Sequence, residues 1–458
     1  MMTKSKFLYA VLGMSLLFTL GACQSLVDDL NNDPNNFTTI TLPLALNQAQ
    51  LNQASVAGGF PSHIAAMWAD QFTGSDRQYI SYDNYAITAG NFDDTWEDLY
   101  QRGVVHAQIA KGIAAEQGAS TSQGAATIME AYYFAEAALM FGDVPFGEAN
   151  QINEFTDPNY EGQEAVLRGS VALLDEALGL VGSDPVSTTG GGIYTTGASW
   201  AQVANAFKAR YLLALMDYDG AYAAAVASGM DTPGEDLSIF SSTNDFGENL
   251  YWQFEIEQRT SYLTVDNEAR GMSYFRSLLS DTTANSRNTG DAKTDDAARY
   301  AYFIEVNDAF ADNVRFNVTD GFAAQTAPLL IIGSAEVQGI LAEAAARGTA
   351  GTGAAVDGLN AARNYWDMKL GGDSYQDYIE ADFASTNDLI MAILVEKFVG
   401  VIGLPTFYDL NRTNNMIGTT SEASSDLARR FIYPSTEISS NSNFPGLEDL
   451  TTPLPLYQ

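Results

Sequence analysis

The side chains of this sequence that could do chemistry are aromatic and amide-bearing rather than nucleophilic. Two stretches interleave rings with hydrogen-bonding groups. Gln71 to Tyr85 holds Gln78, Tyr79, Tyr82 and Tyr85 beside Asp76 and Arg77, and Asn249 to Tyr262 holds Asn249, Tyr251, Trp252, Arg259 and Tyr262 beside Gln253 and Gln258. Flat rings cover the apolar faces of pyranose sugars, while Asn, Gln, Asp and Arg satisfy hydroxyls. The mixture therefore predicts saccharide recognition without bond cleavage. The competing role for each ring is to anchor its own loop onto a helix, so the expectation rests on the stretches and not on any one residue.

Other chemistry finds little support. Cys23 is the only cysteine, and the two histidines, His63 and His106, stand far apart in no metal-ligand spacing. Acid groups such as Asp93/Asp94/Glu97 and Asp295/Asp296 are expected by chance in so acidic a chain, and read as helix N-terminal or surface charge. Gly190-Gly191-Gly192 lacks the Lys-Ser/Thr of a phosphate loop, and no acidic stretch has EF-hand spacing. No catalytic residue, bound metal or cofactor is expected.

With 22 Lys+Arg against 57 Asp+Glu the net charge is −35, which disfavours nucleic-acid binding, because phosphate contacts need clustered cations. The first residues carry Lys4 and Lys6, then an apolar run from Phe7 to Ala22, shorter than the roughly 20 residues of a membrane span. That run closes on Leu20-Gly21-Ala22-Cys23, the small-residue pattern of a lipoprotein signal, which gives the lone thiol a role as acylation site. The expected organisation is a signal peptide over 1–22, a lipidated tether over 23–40, and one domain over 41–458 with a loop-rich insertion at about 228–325.

The elements that must position the two stretches are mostly helices. Apolar spacing predicts them over Leu42–Ala57, Phe60–Phe72, Asn91–Gln117, Gln123–Phe141, Glu161–Val181, Ser199–Tyr218, Pro328–Arg347, Ala354–Trp366 and Thr386–Val399. Ser228–Gly290 has weaker periodicity and reads as long loops with short strands or helices, such as Tyr251–Glu255; Arg299–Ile304 reads likewise. The proline-bearing tail, Phe431 to Gln458, is expected to be extended coil. Ala135-Glu136-Ala137-Ala138 and Ala342-Glu343-Ala344-Ala345 place small residues mid-helix, as helical hairpins of the tetratricopeptide type require for close approach.

Several ordered motifs then carry a resemblance. They are Trp96-x-x-x-Tyr100, Phe141-Gly142-Asp143-Val144-Pro145-Phe146-Gly147-Glu148-Ala149, Trp200 with Asn205, Lys208 and Arg210, Ser334-Ala335-Glu336 with Leu341-Ala342-Glu343-Ala344, and Glu396-Lys397-Phe398. Phe407-Tyr408-Asp409-Leu410-Asn411-Arg412 and Arg430 with Tyr433, Pro434 and Glu437 complete the order. Together they resemble the SusD/RagB family of outer-membrane lipoproteins, in its shorter, divergent branch. The resemblance implies a mostly α fold on four tetratricopeptide-like hairpins. It also implies a cell-surface lipoprotein that acts as a lid over a SusC-like TonB-dependent barrel. The implied cargo is an oligosaccharide, with peptide or another small nutrient as the alternative; a helical scaffold outside transport is the rival role. Most motif residues should be structural, with Lys208 and Arg210 pairing with acids such as Glu136 or Glu343.

Overall fold

The computed structural model describes residues 40–458 except 152, 190–191, 268–270, 285, 289–290, 307–313, 372–374 and 422–425. The signal-peptide and tether expectations, with Cys23, lie outside the described residues.

Helices follow the apolar spacing. α1 (Leu42–Gly58) turns sharply into α2 (Phe60–Trp68), whose first turn holds Pro61, a residue preset for that position. α2 stops short of the predicted Phe72, because Asp70 takes a left-handed φ of 59°. After α3 (Arg77–Asp83), a helical run continues through Asp93–Glu97 and the π-helical segment Asp98–Val104 into α4 (Val105–Glu116). α5 (Ser120–Phe141) is buried from Gly124 onward, which explains why its sequence is apolar on every side. It ends at Gly142, whose φ of 96° is open to glycine alone at little cost.

α6 (Gln163–Val181) returns along α5. α7 (Trp200–Ala214) opens on a capping box, with Gln202 N donating to Ser199 Oγ and Ser199 N to Gln202 Oε1. The predicted helix to Tyr218 instead breaks at Met216, φ 59°, and a separate α8 (Tyr218–Ser228) folds back on α7. α9 (Ser334–Arg347) and α10 (Gly351–Leu370) form the next hairpin, and α11 (Thr386–Gly400) packs on α9 ahead of the short α12 (Leu404–Arg412). The tail is not wholly extended, since Ser435–Ser440 is helical. The chain is thus mostly α, as the sequence predicts, and Leu42–Gln458 folds as one unit.

Close helix approach falls where the small residues are. Ala135, Ala138, Ala342 and Ala345 are all fully buried, and a Cβ placed on Gly358 of α10 would lie 2.9 Å from Ala342 N of α9. Buried ion pairs cross the same seams. Arg210 of α7 grips Glu336 of α9 through Nε (2.6 Å) and Nη2 (2.7 Å) and also faces Glu136 of α5. Glu343 of α9 accepts from both Arg412 Nη atoms at 2.7 and 2.8 Å, and from Lys397 and Arg347 at 2.9 Å. So Arg210 meets Glu136 as expected, whereas Lys208 pairs with Asp175 at the surface. Asp143 and Glu148 bind Gln163 N and Asn159, which holds the chain as it leaves α5.

The middle of the chain is built from short strands and turns. β1 (Thr73–Gly74) pairs antiparallel with β4 (Leu263–Thr264), Thr73 opposite Thr264. Between them in sequence, β2 (Tyr194–Thr195) and β3 (Leu237–Ile239) join β5 (Leu329–Ile332) in a three-stranded sheet that feeds α9. Tyr251–Glu255 belongs to a helical turn, Leu250–Trp252, continued by π-helical Gln253–Gln258, and Ala297–Phe303 is a short helix.

Candidate functional site

The β1–β4 pairing joins the two aromatic stretches. Thr73 and Thr264 hydroxyls meet at 2.9 Å, and Gly74 N donates to Asp83 Oδ2 at 2.6 Å, which curls the first stretch into α3. Asp76 caps α3, its Oδ1 accepting from Arg77 N at 2.9 Å. One face of α3 then presents Gln78, Tyr79 and Tyr82, and the turn after Asn249 presents Leu250, Phe254 and Gln258 opposite. The space between is a surface cleft of about 390 Å³, closed at one end by the Gly58–Gly59 junction of α1 and α2.

Rings form one wall. Tyr79 lies 5.1 Å from Phe254 and 5.5 Å from Tyr82, and Tyr82 meets Phe60 edge-on at 5.7 Å. Gln78, Asn91, Asp94, Gln258 and Arg259 supply donors and acceptors around them. Asn91 Nδ2 donates to the Tyr82 hydroxyl at 3.1 Å, fixing that ring. Below the wall, His63 Nδ1 meets the Tyr79 hydroxyl at 3.2 Å and its ring stands 4.6 Å from Phe254. Burial pushes the His63 pKa down to about 3, so the imidazole is neutral in any physiological medium. Burial likewise raises the Tyr79 phenol. At the mouth, the guanidiniums of Arg77 and Arg259 lie over the Tyr262 ring at 5.8 and 5.6 Å. Nothing here activates a nucleophile: the cleft offers rings, amides, one acid and one arginine, which suits holding a hydroxylated ligand.

Of the residues singled out from sequence, Gln78, Tyr79, Tyr82 and Arg259 line the cleft, and Tyr262 adjoins it 6.0 Å from Tyr79. The others face elsewhere. Tyr85 packs on Trp68 at 5.7 Å, and its hydroxyl accepts from Ala428 N. Asn249 is buried, donating to the carbonyls of Phe322 and Ala327. Tyr251 bonds Ser62 Oγ at 3.0 Å among Phe72, Phe316 and Phe322, and half-buried Trp252 lies outside the cleft lining. These four placements share one cause: side-chain direction is set by packing against segments remote in sequence. Phe60, His63, Asn91 and Asp94 were not anticipated; the Gly58-Gly59 pair before Phe60 was the available signal of a backbone break beside a cavity.

Helical hairpins of the tetratricopeptide type here carry an open cleft lined by rings, amides and one arginine. A family model described as starch-binding and associating with the outer membrane, the SusD-like model, matches residues 34–434, and the chain belongs to that family. Solved structures agree in fold. A SusD homolog from Bacteroides fragilis NCTC 9343 superposes with a TM-score of 0.67 at 18% identity, covering 92% of this chain and 100% of its own. A SusD/RagB family protein from Bacteroides thetaiotaomicron VPI-5482 gives 0.60 at 17% identity, over 88% and 95%. A chitin-binding SusD homolog from Flavobacterium johnsoniae gives 0.65 at 15% identity, over 90% and 97%. No curated protein sequence matches the chain. The family is one of nutrient- and glycan-binding proteins associated with the outer membrane, and its members are binding proteins rather than enzymes. No helix among the described residues is long and apolar enough to cross a membrane.

Proposed function

We propose that this chain is the capture subunit of an outer-membrane uptake pair, holding an oligosaccharide in the cleft beside α3 and delivering it to a SusC-like TonB-dependent receptor. One observation carries the reading: two aromatic stretches far apart in sequence are paired by β1 and β4 so that both line one cleft. Cys23 carries the acyl chains, 23–40 is the tether left after removal of 1–22, and the folded unit faces outward from the cell surface as a lid. The chitin-binding neighbour lends support to a glycan as cargo.

Affinity should be modest. A few ring contacts at about 0.5–1.5 kcal/mol each and hydrogen bonds at about 1 kcal/mol each give dissociation constants of order micromolar to millimolar. That range allows release into a receptor. Calorimetry against a broad oligosaccharide panel tests the cargo: binding is expected, and Tyr82→Ala or Arg259→Ala should weaken it about tenfold. Peptide binding with no glycan binding would overturn the sugar assignment. Affinity purification from native membranes should recover a TonB-dependent barrel, and Cys23→Ser should release the protein from them. Recovery of other partners without a barrel would favour a scaffold role.

A further inference from the structure

A second cavity, of about 490 Å³, lies across the α1–α2 junction from the cleft, with Ala57 on its wall where Gly58 and Gly59 face the other side. Helices α5, α7, α9 and α10 of the scaffold meet the short helices and strands of the middle here. Its volume falls within the range of small-molecule sites, about 300–1,000 Å³. Exposed Thr195 and Gly234 open it to solvent.

Three polar groups on its wall lack a partner. Tyr132, Ser238 and Trp366 are only 2%, 7% and 3% exposed, yet the Tyr132 and Ser238 hydroxyls and the Trp366 indole N–H make no hydrogen bond among the described residues. Each residue lines the cavity, where water or a ligand can satisfy its polar group. Beside them, Lys369 Nζ donates to the Tyr365 hydroxyl at 2.8 Å, lies 3.5 Å from Asp236 Oδ2 and also bonds the Tyr302 side chain, so its three protons are engaged within the wall. Tyr302 and Phe303 add flat apolar wall around Trp366.

The chemistry selects the occupant. A hydrocarbon would leave the three polar groups unsatisfied. A polyanion would meet the carboxylates of Asp236, Glu136 and Glu336, and a polycation would meet Lys369 and Arg210. A neutral ligand with apolar ring faces and a hydroxylated rim satisfies the whole lining. We infer that this cavity is an enclosed second saccharide site that takes a neutral mono- or disaccharide. It goes beyond the cleft and does not depend on the cleft binding anything.

The test is calorimetry and tryptophan fluorescence on the purified chain with maltose, cellobiose, lactose, xylobiose, N,N′-diacetylchitobiose and their monosaccharides. At least one should bind with a single short-ligand isotherm. Tyr132→Phe, which removes one hydroxyl and keeps the ring, should weaken it about tenfold, and Ser238→Leu, which fills the space, should abolish it. Should Ser238→Leu fail to fold, Tyr132→Phe decides. Titrating Arg259→Ala separates the sites: its loss of long-oligosaccharide binding reports on the cleft, and the short-ligand isotherm reports on the cavity. Absence of binding by every probe, or binding indifferent to Tyr132→Phe, overturns the inference and leaves the cleft reading standing.

Discussion

His63 and Glu396 show what burial does to a titratable side chain with and without compensation. His63 is met by the Tyr79 hydroxyl, the Gly58 backbone and aromatic rings, and burial outweighs the Gly58 hydrogen bond to lower its pKa from 6.5 to about 3. A histidine held below its unfolded value favours the fold above pH 6.5 and loses that contribution as pH falls towards 3. Urea titrations between pH 7 and 5 should therefore show falling stability, and His63→Phe should flatten that limb. For Glu396, burial alone would raise the pKa, but Arg287, Arg299 and Arg363 together hold it down to about 2. Its contribution is present above about pH 4.5 and lost between there and 2. Glu396→Gln leaves Arg287 and Arg299 to Asp296, one acid in place of two, and should lower unfolding free energy at pH 7 by about 3–5 kcal/mol while flattening the acid limb below 4.5. At this scale the sequence was legible in kind but not in direction. It marked Arg210 as an ion-pair former and found Glu136 among its partners, but the tighter contact to Glu336 depends on how α7 and α9 dock. It marked ring-rich stretches, yet could not tell that Tyr79 faces the cleft while Tyr85 turns to Trp68 and Ala428.

At the scale of elements, glycine reads differently according to what a side chain would meet. A Cβ at Gly358 would press on the backbone of α9, so Gly358→Ala should lower stability by about 1–3 kcal/mol. Gly112, mid-way along α4, has nothing within 4 Å, and Gly112→Ala should raise stability by about 0.5–1 kcal/mol. Thermal or urea unfolding of the two variants checks both signs. Helix periodicity made the scaffold readable where one face is apolar over several turns, as in α6 and α9, whereas α5 was readable as an apolar run throughout. The break at Met216, the π-helical segment at Asp98–Val104 and the short α12 escaped it. Met216 bends the chain without Gly or Pro to announce it, and a π turn keeps the composition of the helix around it. Strands of two residues, such as β1 and β4, are too short for alternation to register, although their pairing assembles the cleft.

For the whole molecule, the charge of −35 sets the response to salt. Self-repulsion among exposed acids weakens as the screening length shrinks from about 10 Å at 0.1 M to about 3 Å at 1 M. The melting temperature should rise with sodium chloride across that range, and a flat or falling trend would mean that the internal ion pairs outweigh the surface. Those pairs take a large share of the scarce basic groups. Arg210, Arg299 and Lys397 are buried, and the Arg412 side chain is 2% exposed. Solvent therefore meets acids with few bases among them. Such a skin gathers mobile cations from the medium, and the molecule diffuses inside a sheath of sodium or magnesium ions. Wherever it settles against another acidic surface, that sheath must be either shared between the two or driven out.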